Sequence, residues 1–328
     1  MKRFYNLLLT LTLLFALVVI VLGAYTRLSD GGLGCPDWPG CYGHLTVPEQ
    51  VTDESFTRPL EPAKARAEMI HRYAAGTLGM LILLIFVLTL IYRVRLKQGM
   101  LLPFLLVCTV IFQAMLGMWT VTKLLSPVIV TGHLLGGFTT LSLIWLLWLK
   151  HNTSRPTTYY SSALAGLRGF ALLALLVVVL QIVLGGWTST NYAAVACGTS
   201  YPLCHGSWWP EADFAEGFSL HMKDGVDYEF GILGNHARTA IHMAHRTGAV
   251  VVFIVLLLLA IRLLMSRERI LGPLPVVLLL VLCGQIMLGI LNVVLALPLA
   301  VATAHNLGAA LLLLTVIAIN YRLYAGRE

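Results

Sequence analysis

Eight long apolar stretches constrain this chain more than any other feature. Roughly 20 apolar residues in a helix cross a bilayer core about 30 Å thick. Stretches of that length lie near residues 6–26, 69–92, 101–121, 127–149, 168–188, 239–263, 273–294 and 299–321. Only 11% of the 328 residues are charged, against about 25% in a typical soluble domain. The sequence therefore predicts an all-α polytopic membrane protein and excludes an ordinary cytosolic enzyme and a disordered chain.

The positions of the cations predict how the helices are oriented. The segments assigned to the inner side hold 13 Lys and Arg but only two acids. Because an excess of cations marks cytoplasmic loops, both termini are expected in the cytoplasm, and the two long loops, near 27–67 and 189–238, on the outer side. The first stretch is longer than the 7–15 apolar residues of a signal peptide, so we interpret it as a span. The net charge of +7 follows from this topology and does not indicate nucleic-acid binding.

The two halves of the chain resemble each other. The corresponding segments are Ile20–Thr26 with Ile182–Thr188, Cys35 with Cys197, His71-Arg72 with His245-Arg246, Gln113–Gly117 with Gln285–Gly289, and His133 with His305. This repeat predicts two parallel four-helix bundles, an N-terminal half (1–155) and a C-terminal half (156–328). Transporters also use such repeats, so duplication alone does not decide the function.

Four histidines lie inside predicted spans at equivalent places in the two halves. Ionisable residues in a span are costly and indicate a functional site. His71 and His133 fall on the second and fourth helices, which lie diagonally in an up-down bundle, and both are in the outer third of the membrane; His245 and His305 repeat this arrangement. Two imidazoles facing across a bundle suit the axial positions of haem. The alternatives are structural or proton-conducting histidines; zinc or copper would have an incomplete ligand set.

Residues beside these histidines extend the predicted sites. Arg72 and Arg246 follow the first histidine of each half and either pair with haem propionates or extend toward lipid headgroups. Glu68 precedes His71 by three residues and shares its helix face, whereas His242 takes that place in the C-terminal half. The Glu68 carboxylate is a candidate general base or charge stabiliser; the alternative is an acid favoured by the helix dipole.

Two close cysteine pairs lie in the long loops, Cys35 with Cys41 and Cys197 with Cys204. An oxidising exterior favours a disulfide in each. For Cys197 and Cys204 we expect a structural staple. For Cys35 and Cys41 both a staple and a thiol–disulfide relay remain open.

Taken together, these residues resemble a known family. The segments that carry the resemblance are Thr26–Leu28, Cys35–Gly43, Glu68–Arg72, Gly132-His133, His245-Arg246 and Ala304–Asn306. They are similar to the haem A synthases, over nearly the whole chain. The resemblance implies a bacterial inner-membrane oxidoreductase that converts the C8 methyl group of haem O to a formyl group through a hydroxymethyl intermediate, which makes haem A for terminal oxidases.

The resemblance also implies roles for individual residues. His71 and His133 would flank the substrate haem O, and His245 and His305 would bind a resident haem b. Glu68 matches the family's catalytic glutamate, and Cys35 with Cys41 its proposed redox pair. The haem O synthase, a farnesyltransferase, and an unidentified electron acceptor are expected partners, together with membrane lipid. The oxygen source and any homo-oligomer stay open. The competing interpretations are a di-haem b-type electron-transfer cytochrome and a transporter whose histidines relay protons.

Overall fold

The computed structural model describes residues 1–51, 53–56, 58–153, 162–221, 223, 225–266 and 268–324. Its α-helices in these residues are α1 Lys2–Leu28, α2 Pro62–Leu96, α3 Leu101–Thr122, α4 Pro127–Asn152, α5 Ser162–Thr190, α6 Phe214–Gly217, α7 Asn235–Ser266, α8 Leu274–Val294 and α9 Leu299–Tyr324. All but the short α6 are long and apolar enough to cross a membrane. The prediction of an all-α multi-pass membrane protein is therefore confirmed. The predicted boundary between the halves, at residues 155 and 156, lies outside the described residues.

Helix ends follow the local sequence. Proline has no N–H and a fixed φ, and it occupies the first turn of α2, α4 and α8. The turn between α3 and α4 has two left-handed residues, Leu124 (φ 46°) and Leu125 (φ 58°). The turn between α8 and α9 is built in the same way from Ala296 (φ 56°) and Leu297 (φ 62°). Equivalent turns thus occur at equivalent places in the two halves.

Helix packing has the symmetry that the sequence repeat predicts. In the N-terminal half α1 packs on α2 and α4, and α3 also packs on both α2 and α4. In the C-terminal half α5 packs on α7 and α9, and α8 packs on the same two helices. The halves meet where α4 and α9 contact each other, α1 contacts α9 and α5 contacts α4. This pattern fits two four-helix bundles in which α2 and α4, and likewise α7 and α9, are diagonal.

Helix α9 forms the centre of the core between the halves. Its buried residues in the second part of the helix are Ala310, Leu312, Leu313, Leu314, Thr315, Val316, Ile317, Ala318, Ile319, Asn320 and Leu323. Buried polar groups tie it to its neighbours: Trp145 Nε1 donates to the Leu314 carbonyl at 2.9 Å, and Asn320 Nδ2 donates to the Ala171 carbonyl at 2.9 Å. The first of these bonds crosses between the bundles, whose interface is otherwise largely apolar, and the second lies within the C-terminal bundle.

The first long loop (residues 29–61) and the second long loop (residues 191–234) contact each other above the bundles. Arg58 forms ion pairs with Glu229 and, at 2.6 Å, with Asp227. The Tyr228 amide donates to the Leu124 carbonyl at 3.0 Å. Burial lowers the pKa of the Arg58 guanidinium, but the two carboxylates outweigh burial and raise the pKa above its ordinary value. The loops thus form one connected cap.

Removing the Arg58 side chain is expected to weaken this cap. The Glu229 side chain is only 10% exposed, so Arg58→Ala leaves a largely buried carboxylate without its partner. We expect a loss of about 1–3 kcal/mol in the free energy of unfolding, measured by thermal unfolding in detergent. The matched control is Arg66→Ala, which removes an exposed arginine. Equal losses from the two variants would show that the loop contact does not stabilise the protein.

Candidate functional site

Each of the four histidines lies against a glycine of a neighbouring helix. The pairs are His71 with Gly23, His133 with Gly117, His245 with Gly185 and His305 with Gly289. A Cβ atom added to these glycines would lie only 2.8–3.5 Å from the imidazole Cε1. A methyl group would therefore crowd the ring at Gly23, Gly185 and Gly289, whereas at Gly117 it would make an ordinary van der Waals contact. Glycine at these four places lets the helices approach closely at the depth of the histidines.

The two histidines of each half belong to diagonal helices. His71 lies on α2 and His133 on α4, while His245 lies on α7 and His305 on α9. All four imidazoles belong to residues that are half-buried as a whole. Three of them, those of His71, His133 and His305, have a buried Nδ1 with no hydrogen-bond partner among the described residues. Two such imidazoles on opposite walls of a bundle fit the axial positions of a haem.

The Glu68 carboxylate connects α2 to the first long loop. It is 5% exposed, and its Oε2 accepts a hydrogen bond from the Cys35 amide at 2.8 Å. Its Oε1 accepts from Arg72 at 2.6 Å. Glu68 precedes His71 by three residues on α2, the spacing of residues that share a helix face. Its two carboxylate oxygens, however, accept hydrogen bonds from the Cys35 amide and from Arg72. Charge-assisted bonds of this kind are strong and fix the carboxylate beside the cysteine pair.

Arg72 and Arg246 have equivalent contacts in the two halves. Arg72 donates to the carbonyls of Asp37 at 3.0 Å and Gly40 at 2.5 Å. Arg246 donates to the carbonyls of Pro202 at 3.2 Å and Leu203 at 3.3 Å. Each guanidinium therefore holds a long loop onto its bundle. The predicted contact with haem propionates is not tested by these bonds and stays a prediction.

The acid of the N-terminal half is replaced by an imidazole in the C-terminal half. His242 Nε2 accepts a hydrogen bond from Arg246 Nε at 3.0 Å, where Glu68 accepts from Arg72. An imidazole cannot supply the second, negatively charged oxygen that receives the Cys35 amide. The replacement of Glu68 by His242, which the sequence comparison showed, thus changes the hydrogen bonds between bundle and loop in the two halves.

Both predicted disulfides are present, Cys35–Cys41 and Cys197–Cys204. All four cysteines are buried. Beside the first disulfide, the Tyr42 hydroxyl donates to the Pro59 carbonyl at 3.0 Å, and burial raises the pKa of its phenol. The first long loop therefore packs around the Cys35–Cys41 disulfide.

Some residues of the site were not predicted as such. Gln181 lies on α5 beside His245, and its amide nitrogen is 3.1 Å from His245 Nδ1. Gln113 and Gln285 are equivalent residues of the two halves, but Gln181 has no such counterpart, because Val19 occupies the equivalent position in the N-terminal half. The spacing Gln-x-x-x-Gly, which recurs in three helices, is the signal that would have revealed it.

The fold and the site define a class: a membrane protein whose described residues include eight helices long enough to span a bilayer, packed in a way that fits two four-helix bundles with a histidine pair in each. Residues 6–317 match the family model described as cytochrome oxidase assembly protein. The chain is 50% identical to a Heme A synthase of Shewanella oneidensis, with 97% of this chain and 96% of that protein covered. It is 26% identical to a Heme A synthase of Caulobacter sp., with 94% and 92% covered. The chain belongs to the haem A synthase family, as its resemblance indicated.

The contact between Gly34 and α2 provides a test of the Glu68 network. A Cβ atom at Gly34 would lie 2.6 Å from the Ala65 nitrogen and 2.6 Å from the Lys64 carbonyl carbon. Because backbone atoms cannot move aside, Gly34→Ala should push the loop away from α2 and break the bond between the Cys35 amide and Glu68. We expect faster reduction of Cys35–Cys41, measured as the rate of alkylation under a mild reductant.

The Cys197–Cys204 disulfide is the internal reference for that measurement, because its rate should stay constant. Gly76→Ala is the matched control, since an added Cβ there has no neighbour within 4 Å. Unchanged reduction of Cys35–Cys41 in Gly34→Ala would contradict the close packing of the loop on α2.

Proposed function

We propose that this protein is an oxidoreductase of haem A biosynthesis that oxidises the C8 methyl group of haem O to a formyl group through a hydroxymethyl intermediate. The observation that carries the proposal is the 50% identity to a relative named Heme A synthase across 97% of the chain. The two histidine pairs support it, because haem is a ligand that two facing imidazoles bind.

The two halves would have different tasks. The N-terminal half (1–155) would hold the substrate haem O between His71 and His133, and the C-terminal half (156–328) a resident haem b between His245 and His305. The carboxylate of Glu68 supports this division, because the C-terminal half has His242 at the equivalent position. The similarity of the two histidine pairs favours a second candidate, a di-haem b-type cytochrome that only transfers electrons.

Glu68 is the residue proposed to act on the substrate. Each oxidation of the methyl carbon removes an electron pair and protons, and the first adds an oxygen atom. A carboxylate near this carbon can accept a proton or stabilise developing positive charge. The Cys35 amide and Arg72 hold the two carboxylate oxygens at 2.8 Å and 2.6 Å, so they would orient Glu68 during the reaction.

The Cys35–Cys41 disulfide lies one hydrogen bond away from Glu68. As a relay it would accept an electron pair, and its S–S bond would break to give two thiols; as a staple it would only hold the loop. A bound haem b supplies electron transfer. Arg72 and Arg246 would contact haem propionates from the loop side of each bundle.

The cellular setting is part of the proposal. The protein would lie in a bacterial inner membrane, with its haem sites toward the outer side. The cation distribution supports cytoplasmic termini and long loops on the outer side. The partners would be haem O, haem A, membrane lipid, a haem O synthase that supplies the substrate, and an electron acceptor.

Glu68→Gln separates the synthase from the electron-transfer cytochrome. The amide keeps the size of the side chain but loses its charge and its ability to accept a proton, so we expect haem A to fall at least about 100-fold, the lower end of a typical acid–base contribution. The measurement is mass analysis of haems extracted from cells that also produce haem O. Haem b content should not change.

Glu61→Gln is the matched control, because it neutralises a more exposed carboxylate at the start of the same helix, paired with Lys64. Normal haem A in Glu68→Gln would refute the catalytic role of Glu68. If even the wild-type protein left haem O unchanged while carrying two haem b molecules, the electron-transfer cytochrome would be the better assignment.

Alanine variants of the four histidines test the division between the halves. His245→Ala and His305→Ala should lose resident haem b, because an axial ligand is missing, whereas His71→Ala and His133→Ala should keep haem b and lose the formyl product. Absorption spectra of the purified variants give haem b, and mass analysis gives the product. Equal loss of haem b in all four variants would contradict the division.

A further inference from the structure

The two disulfides close hairpins of similar construction, the first hairpin (residues 35–44) and the second hairpin (residues 197–207). In each, the later cysteine pairs through the backbone with the residue three positions on, and two left-handed residues form the turn between them. Those residues are Tyr42 and Gly43 in the first hairpin and His205 and Gly206 in the second. The second hairpin has one additional residue between its cysteines. The main differences between the hairpins therefore lie in their side chains.

Asp37 closes the first hairpin a second time. Its Oδ1 accepts a hydrogen bond from the Tyr42 amide at 2.6 Å, and its Oδ2 accepts one from the Gly43 amide at 2.9 Å. These bonds cross nearly the same part of the chain that the Cys35–Cys41 disulfide closes. A hydrogen bond to an ionised carboxylate is roughly twice as strong as one between neutral groups. The covalent closure of this hairpin thus has a non-covalent duplicate.

The second hairpin has no such duplicate among the described residues. Thr199 has the place of Asp37, two residues after the first cysteine of its hairpin. It is exposed, and its side chain makes no hydrogen bond among the described residues. The amides of His205 and Gly206 therefore receive no carboxylate across the turn. What closes this turn is the disulfide, together with the backbone hydrogen bonds that follow it.

The first hairpin has two further bonds that do not involve its sulfur atoms. The Cys35 amide donates to Glu68 Oε2 at 2.8 Å, and the Tyr42 hydroxyl donates to the Pro59 carbonyl at 3.0 Å. His242, at the place of Glu68, receives no loop amide among the described residues. Breaking the S–S bond removes none of these contacts, so they remain to hold the first hairpin on α2.

The surroundings of the first disulfide also suit its thiol form. Cys35 and Cys41 are both 0% exposed. The Cys35 sulfur lies 3.8 Å from the Ala65 carbonyl oxygen, and a carbonyl oxygen can accept the weak hydrogen bond of a thiol. An opened pair would therefore stay enclosed between the hairpin and α2, with an acceptor for one of its protons.

We propose that Asp37 is a positioning residue that keeps the first hairpin folded when the Cys35–Cys41 bond is open, so that this pair opens and closes in place, whereas the second hairpin depends on its disulfide. This inference rests on the proposed function, in which Cys35–Cys41 relays electrons. On opening, the S–S bond takes up two electrons and two protons from the oxidation of the substrate and becomes two thiols. On closing, the thiols give them to an oxidant of the disulfide class. Groups held side by side react far faster than free ones, so a folded hairpin would re-form its bond quickly.

The first experiment compares the two hairpins in the oxidised and the reduced protein. Full-length protein in detergent is kept with or without a phosphine reductant until mass analysis shows that both disulfides have opened. Amide hydrogen exchange is then followed by mass spectrometry. Peptides from the first hairpin should exchange at nearly the same rate in both states. Peptides from the second should exchange at least about 10-fold faster once reduced, because a disulfide typically contributes more than this factor to folding.

The second experiment gives the first hairpin the residue of the second. Oxidised Asp37→Thr should keep the protection of its amides, and reduced Asp37→Thr should lose it. The effective concentration of the two thiols, measured by equilibration with glutathione and its disulfide, should fall about 10-fold or more, the lower end of what a hydrogen bond to a charged group contributes. Asp37→Asn retains one oxygen acceptor and should show a smaller fall.

A matched control separates positioning from a general loosening of the loop. Asp53 accepts a hydrogen bond from the Ser55 amide at 2.9 Å in the first long loop, so Asp53→Thr removes a comparable bond that does not cross the disulfide turn. It should leave the exchange of both hairpins and the glutathione equilibrium unchanged. If Asp37 had a merely structural role, Asp37→Thr would instead loosen the first hairpin equally in the oxidised and the reduced protein.

The outcomes that overturn the inference are distinct from those that overturn the proposed function. If the two hairpins respond alike to reduction, or if reduced Asp37→Thr keeps its protection and its glutathione equilibrium, Asp37 does not position the pair. The relay is judged separately, by haem A formation in Cys35→Ser with Cys41→Ser. Normal haem A in that variant would refute the relay, whereas the exchange measurements need no haem.

Discussion

The close contact between a glycine and an imidazole is the interaction on which the rest of this structure depends. It occurs four times, and each time a helix carrying a histidine crosses its neighbour where the neighbour has no side chain. In a bilayer, helices associate through close packing rather than through the hydrophobic effect, so small residues decide where they meet. Here the small residue also decides where a polar ring can be buried. The depth of the histidine sites and the packing of the bundles therefore have one cause.

The two halves differ in their hydrogen bonding at the helix ends that face the long loops. Arg72 and Arg246 hold the loops in the same way, through loop carbonyls, so the symmetry of the cap survives. Glu68 and His242 differ, and with them the bond to the loop amide. A bond from a carboxylate to the backbone beside a disulfide couples the position of the acid to the conformation of the loop. His242 has no such coupling, because its Nε2 accepts from Arg246 and its Nδ1 has no hydrogen-bond partner among the described residues.

Sequence reasoning predicted the features that depend on local periodicity and repetition. The eight spans, the cysteine pairs and the four histidines follow from hydropathy and from the internal match. The beginning of α2 at Pro62 rather than near residue 69 was not predicted, because its first turns are polar and only the proline marks the start. The bond between Cys35 and Glu68 joins residues 33 positions apart, and no spacing rule indicates which amide a carboxylate will reach. Gln181 was not predicted, because a comparison of the two halves identifies only residues that are the same in both, and the equivalent of Gln181 is Val19.

The differences between the halves bear on how one scaffold can serve two purposes. In the proposed division, a half that retains its haem and a half that exchanges it would need different dissociation rates, although each half has a pair of histidines on diagonal helices. The ligands themselves cannot supply that difference, so it must come from the groups that support them. Those groups do differ between the halves, because Glu68 accepts hydrogen bonds from Arg72 and from the Cys35 amide, whereas His242 accepts one from Arg246. A substrate site must release its product, so a ligand held there as firmly as a resident cofactor would limit turnover.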